Sequence, residues 1–276
     1  MRNLTAPARD DMVDYRSAIA RRPAPTRTVL SNLENTIQAA YTSYSGEVAA
    51  ILALEPLAFE DPNPADLLRG NYSSLANGRA LEELAAAIYE AADFRCPMCN
   101  FEQASTLDHF LAKSNFPEFC VLARNLVASC FTCNHRKGAQ AANGFVHPYF
   151  DRIPEEHILL AGISWAPEFH VAYSLQRPNG MDDNLFARLD NQFQQLGISD
   201  RLAREAGYVL TEIRQNCGAP YAQGGPGLVS RELLRQAENA GSSYGLNHYK
   251  AALLAALAND GLFCDEGFRD PAGRPG

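Results

Sequence analysis

Two Cys-x-x-Cys pairs, Cys96-Pro-Met-Cys99 and Cys130-Phe-Thr-Cys133, stand thirty residues apart in a chain of 276. Thiolates are soft donors, and two such knuckles at this separation supply a tetrahedral set for one zinc ion. A redox role needs only one pair, usually after a strand of a thioredoxin-like fold. The stretch containing both pairs is too short to bury a rigid apolar core of its own, so a metal crosslink explains why the cysteines concentrate there. The spacing therefore predicts a structural Zn²⁺ on Cys96, Cys99, Cys130 and Cys133. A knuckle, a hairpin and a second knuckle leading into a helix is the treble-clef arrangement.

Between and around the knuckles lie residues suited to hydrolysing a phosphodiester. That reaction requires a metal to neutralise the phosphate and the departing oxygen, and a base to activate water. Asp108 and His109 are adjacent at the end of a short expected strand, Ser105-Thr-Leu-Asp-His. Histidine suits the base, because its ordinary pKa of about 6.5 lies near working pH. Asn134 follows the last cysteine and would project from a first helical turn toward the hairpin. Its hard oxygen complements Asp108 for Mg²⁺ or Mn²⁺. His135 is a competing ligand, but a helix turns by about 100° per residue, so only one of the two faces the site. Arg136 and Lys137 lie close enough to contact phosphate.

The segments Leu-Asp-His-Phe-Leu-Ala-Lys-Ser, Arg-Asn-Leu and Cys-Phe-Thr-Cys-Asn-His-Arg-Lys-Gly together resemble the HNH endonuclease family of ββα-metal nucleases. The resemblance implies a metal ligand at Asp108, a general base at His109 and a loop-fixing asparagine at Asn125. It places the last ligand at Asn134, as in the HNH domain of the RNA-guided CRISPR nuclease. Ala112 departs from the proline that many relatives carry there, at a position that shapes a loop and performs no chemistry. His147-Pro-Tyr-Phe-Asp151 is similar to a stretch of bacterial HNH proteins of anti-phage defence, although His147 itself reads as structural. Such relatives often act beside a restraining ATPase, which makes a regulatory protein partner an expectation here.

The elements that must position these residues are mostly helical. The expected fold is α+β, with a zinc-stapled HNH core inside a helical scaffold. Residues 1–30 carry six Arg and scattered Pro without a clear period, and read as an arm that is flexible or ordered only by docking. Residues 31–93 read as a helical region: a Ser31/Glu34 capping box opens a helix through Leu33, Ile37, Tyr41, Tyr44, Val48 and Ile51, a Pro-, Asn- and Asp-rich loop covers 59–74, and another helix covers 79–93. The nuclease core spans 94–150. In 151–276, a strand pair at 157–165 and 169–175 precedes helices at 183–196, 200–216 with Ser199 as N-cap, 230–240 and 246–260. A loop is expected at 219–227 and a frayed tail from 265.

The chain has no apolar run of membrane-spanning length and no apolar leader, which makes a cytoplasmic protein the expectation. Seven cysteines suit a reducing compartment better than a secreted disulfide framework. The net charge of −8 opposes nucleic-acid binding, yet residues 94–150 hold five Lys or Arg against three acids. The expected partner is DNA. The alternative is a non-catalytic treble-clef module that binds nucleic acid or protein.

Overall fold

The computed structural model describes residues 2–166 and 168–269. The chain packs as two compact units, one formed by the residues up to Ile153 with Ala187–Gln192, the other by Pro154–Phe186 with the residues from Phe193 onward. The architecture is mostly helical with two small two-stranded sheets, as an α+β reading requires.

The first unit contains α1 (Asp11–Ala20), α2 (Ala24–Asn32), α3 (Glu34–Ser43), α4 (Val48–Leu52), α5 (Pro62–Gly70) and α6 (Glu82–Ala91). The loop expected at 59–74 is corrected by α5, which Asp61 caps and Pro62 opens at its first position. The hairpin β1 (Thr106–His109) and β2 (Leu126–Ser129) follows, then the short α7 (Phe131–Lys137). Its core gathers Tyr15, Leu30, Ile37, Tyr44, Ile51, Leu68, Leu84 and Ile88, all essentially inaccessible to solvent.

Residues 1–30 take the docked form of the expected arm and belong to this core. Asp10 caps α1 by accepting the amides of Met12 and Val13. The extended start is pinned where Leu4 N–H donates to the Pro148 carbonyl and Asn3 exchanges two hydrogen bonds with Ile153. The Ser31/Glu34 capping box does not form: Ser31 lies inside α2, and α3 starts without a side-chain cap. The single helix expected from Leu33 to Ile51 is broken after Ser43, where Ser45-Gly46 disfavours propagation, and resumes as α4.

The second unit pairs β3 (Leu159–Ser164) with β4 (His170–Leu175) in antiparallel register, close to the expected strands. The helix α8 (Asp183–Gln195) has its middle in the first unit. It is followed by α9 (Ile198–Tyr244), α10 (Tyr249–Asn259) and α11 (Gly261–Cys264). The expected loop at 219–227 and the separate helix at 230–240 are corrected: α9 runs through both and is interrupted only at Gly224 and Gly225. Gly225 has φ +64° and ψ −160°, a conformation open to glycine alone, so two residues bend a helix that was expected to stop. Ser199 does not cap α9; it exchanges two hydrogen bonds with the backbone of Tyr173 on β4. Where a frayed tail was expected, Gly267–Arg269 form a 3-10 turn; residues 270–276 lie outside the described residues.

His147 is fully buried in the first unit, with the Phe110 ring at 4.1 Å and the Phe150 ring at 4.6 Å. Its Nδ1 accepts the Tyr149 amide, so Nε2 carries the proton and faces the Tyr44 hydroxyl at 3.1 Å. Burial depresses its pKa to about 3. The unfolded histidine, with a pKa of about 6.5, binds a proton that the folded one refuses. Stability is therefore complete above pH 6.5 and falls with pH below it, by up to about 1.4 kcal/mol per pH unit. Denaturant titrations between pH 7 and 4.5 are expected to show that decline, and His147→Gln to remove this histidine's share of it, leaving that of the likewise buried His109.

Candidate metal centre and catalytic site

The first knuckle is built by a tight backbone turn. Asn100, at φ +63°, takes the left-handed conformation that asparagine tolerates, and its amide donates to the Cys96 carbonyl at 2.8 Å. The second knuckle is the start of a helix: Cys130 is the N-cap of α7, and its Sγ accepts the Cys133 amide. The four sulfur atoms lie within 4.8 Å of one another, all buried, with Cys99 and Cys130 3.9 Å apart. Tetrahedral zinc with Zn–S bonds of about 2.3 Å requires sulfurs about 3.8 Å apart, so the donor set fits. Burial works against a Cys96 thiolate, but hydrogen bonds from Cys130 and Cys133 hold its pKa below the ordinary value. Hydrogen bonds with Cys130, Cys96 and Cys99 in turn force the Cys133 thiol upward. Four thiolates in this space need a cation to share.

The hairpin places Asp108 opposite Val127 and His109 opposite Leu126. Between the strands the chain makes a long excursion, closed by Asn125, which is wholly buried. The Asn125 Oδ1 accepts the Leu111 amide at 2.8 Å and the Tyr44 hydroxyl at 3.2 Å; Nδ2 donates to the carbonyls of Leu111 and Phe119. Asn125 thereby clasps the backbone directly after His109.

Asp108, His109 and Asn134 line one cavity of about 370 Å³, with Tyr72, Lys113, Ser114 and Gly138 also on its wall. Asp108 is turned back on its own strand, Oδ1 accepting the His109 amide at 2.8 Å. Its other oxygen lies 3.0 Å from the Lys137 ammonium. Burial raises the Asp108 pKa, and Lys137 opposes that shift. His109 Nε2 lies 2.9 Å from the Cys120 carbonyl. A carbonyl can only accept, so Nε2 holds the ring proton and Nδ1 the lone pair. Burial lowers the pKa to about 4, with Lys113 and Lys137 adding to the shift, so the ring is neutral at pH 7.

Asn134 is oriented by a relay. The Thr106 hydroxyl donates to the Ser129 carbonyl and accepts from Asn134 Nδ2, which turns Asn134 Oδ1 away from Thr106. His135 is exposed instead, its ring stacked on that of exposed Phe131 at 5.7 Å, so of the two helical candidates only Asn134 lines the cavity.

Lys137, expected to reach phosphate, does something else. It is 2% exposed, and its ammonium donates to the His109 carbonyl at 2.7 Å while pairing with Asp108. The α7 helix ends one residue later at Gly138, whose φ of +53° with ψ of −135° excludes other residues without strain. Tyr72 and Lys113 were not expected at the site. The Tyr72 hydroxyl donates to the Leu107 carbonyl and its ring lies 5.1 Å from that of His109. Tyr72 comes from a 3-10 turn whose Asn and Ser content reads only as a loop, so nothing periodic marks it.

Over 128 residues the chain is 30% identical to Protein ea31 of Escherichia phage lambda, an alignment that takes in 43% of each. The chain thus spans less than half the length of that relative. No family model matches the chain, and no solved structure matches it. Among the described residues no helix is long and apolar enough to cross a membrane.

Elemental analysis of protein purified without added metal is expected to give about one zinc per chain, as a closed four-thiolate site should. Cys130→Ser removes both a ligand and the α7 cap, and is expected to lower the melting temperature together with the zinc content. Folded wild-type protein without zinc would overturn the assignment. Asn125→Ala strands the Leu111 amide and two carbonyls in the interior. It is expected to cost about 3 kcal/mol in denaturant unfolding, with zinc retained.

Proposed function

We propose that this chain is a metal-dependent endonuclease of the HNH type that hydrolyses DNA phosphodiester bonds. The observation that carries the reading is the state of His109: a neutral imidazole on a cavity wall, with Nε2 committed to the Cys120 carbonyl and Nδ1 left as a base. Beside it stand two hard oxygen donors, the Asp108 carboxylate and the Asn134 amide oxygen, behind a four-cysteine staple that suits structural zinc. The quoted HNH-like segments supply these same residues in the order metal ligand, base, clasp, last ligand.

In this reading His109 Nδ1 takes a proton from water, and the resulting hydroxide attacks phosphorus in line with the departing oxygen. The Cys120 carbonyl keeps the ring in the reactive tautomer and stabilises the imidazolium that forms. Asp108 and Asn134 would hold Mg²⁺ or Mn²⁺, which supplies Lewis-acid stabilisation of the leaving oxygen when bound. Oxygen-only donors suit such hard cations and leave the soft thiolates to zinc. Lys137 keeps the Asp108 carboxylate ionised in its buried position, and Asn125 keeps the strand end in register.

Pure protein is expected to nick or cut plasmid DNA with Mn²⁺ or Mg²⁺ and not with EDTA added during the assay. His109→Ala is expected to lose at least 10²-fold in rate with fold and zinc unchanged, since removing a general base costs about 10²–10⁴-fold. His135→Ala should cut at the wild-type rate. Undiminished cutting by His109→Ala would eliminate the mechanism. Binding of DNA without any metal-dependent cutting would favour a non-catalytic zinc module instead.

A further inference from the structure

We propose that Lys113, carried on the ring of Tyr72, is the residue that receives the substrate phosphate at this cavity. The inference rests on the nuclease reading above and assigns its phosphate contact. Two lysines lie near His109, and their surroundings separate their roles. Lys137 is buried, commits two of its three donors to Asp108 and the His109 carbonyl, and is not among the residues that line the cavity. Lys113 is half-buried, lines the cavity, and among the described residues forms no ion pair. It is the one cationic side chain among the lining residues.

Its position is also fixed. The Lys113 ammonium sits 4.0 Å from the centroid of the Tyr72 ring. That ring is itself held by the hydroxyl's 2.7 Å hydrogen bond to Leu107 and lies 5.1 Å from the His109 ring. An ammonium over an aromatic face keeps its charge while giving up only part of its hydration. It therefore stays available to an anion that enters beside the base. A phosphodiester oxygen held by Lys113 would bring phosphorus to the same wall as His109 Nδ1, the geometry that in-line attack requires. Arg136 is exposed on α7 and is not part of the cavity wall, so it contacts at most the flanking backbone.

The test measures binding and cutting separately. DNA affinity is measured against salt in the His109→Ala chain, with and without Lys113→Ala, and plasmid cutting with Mn²⁺ is measured for wild type, Lys113→Ala and Lys113→Arg. Loss of one phosphate contact should reduce the slope of log K against log salt by about 0.9, and KM should rise about tenfold. Lys113→Arg should restore the slope, which a merely structural lysine would not require. Melting temperature and zinc content of the variants serve as fold controls. If wild type cuts while Lys113→Ala keeps both the slope and KM, the phosphate assignment is overturned and the nuclease reading stands. If wild type binds DNA without cutting and the slope still falls, the nuclease reading fails and the Lys113 contact remains. A chain that neither binds nor cuts overturns both.

Discussion

Four buried sulfur atoms held within 4.8 Å set the position of everything else in the candidate site. Cys96 and Cys99 lie just beyond α6, and Cys130 and Cys133 join the end of β2 to the start of α7, so one cluster ties three elements together. The seven-residue α7 is far below the length at which a helix persists in water by its own hydrogen bonds. It is pinned at both ends instead. Sulfur holds its first turn, and the Lys137 ammonium anchors its last turn on Asp108 and the His109 carbonyl. Between these anchors Asn134 has one direction left, toward Thr106 and the cavity.

The second anchor is an ion pair taken out of water, and its value lies in position rather than net stability. Burying a carboxylate beside an ammonium roughly repays the desolvation of both, whereas losing either partner leaves the other charge stranded. The same pair limits the chemistry. Asp108 is the one carboxylate on the cavity wall, and Lys137 already neutralises part of its charge. For the divalent ion proposed above, such a donor set would serve one ion that keeps most of its waters and would be too small for the symmetrical two-metal arrangement.

What the sequence reveals of this protein divides along physical lines. The knuckles, the Asp-His step and Asn134 are legible because each is a local pattern: a two-residue spacing, a strand end, a first helical turn. The strand pair of the second unit and helices such as α6 and α10 are legible for the same reason, through periodicity. Tertiary packing hides the rest. The first thirty residues show no period, because their order comes from Tyr15 reaching the Leu30 carbonyl and from bonds made to Pro148 and Ile153, more than a hundred positions away. Pro220 and the Gly224-Gly225 pair signal a stop, yet the flanking helices are long enough to be held by packing through a two-residue bend. Tyr72 and Lys137 mislead in opposite ways: one looks like loop and belongs to the wall, the other looks like a surface cation and is buried.

That last difference changes how charge near the site is counted. Five cationic residues between 94 and 150 suggest a local basic patch on an acidic chain. The Arg124 guanidinium, however, donates to the carbonyls of Tyr41 and Tyr44 and pairs with Asp11, and Lys137 is consumed by Asp108. Several arginines of the N-terminal segment are likewise taken: Arg9 by Asp14, Arg16 by Glu34, and Arg2 partly by the Ala92 carbonyl. Cations committed inside the fold release no counterions from DNA, so the formal count overstates what a phosphate backbone would feel. The cavity wall itself presents one cation, Lys113 held over the Tyr72 ring, and one neutral histidine. Under the proposed nuclease function, selection of the bond would rest on geometry rather than bulk attraction.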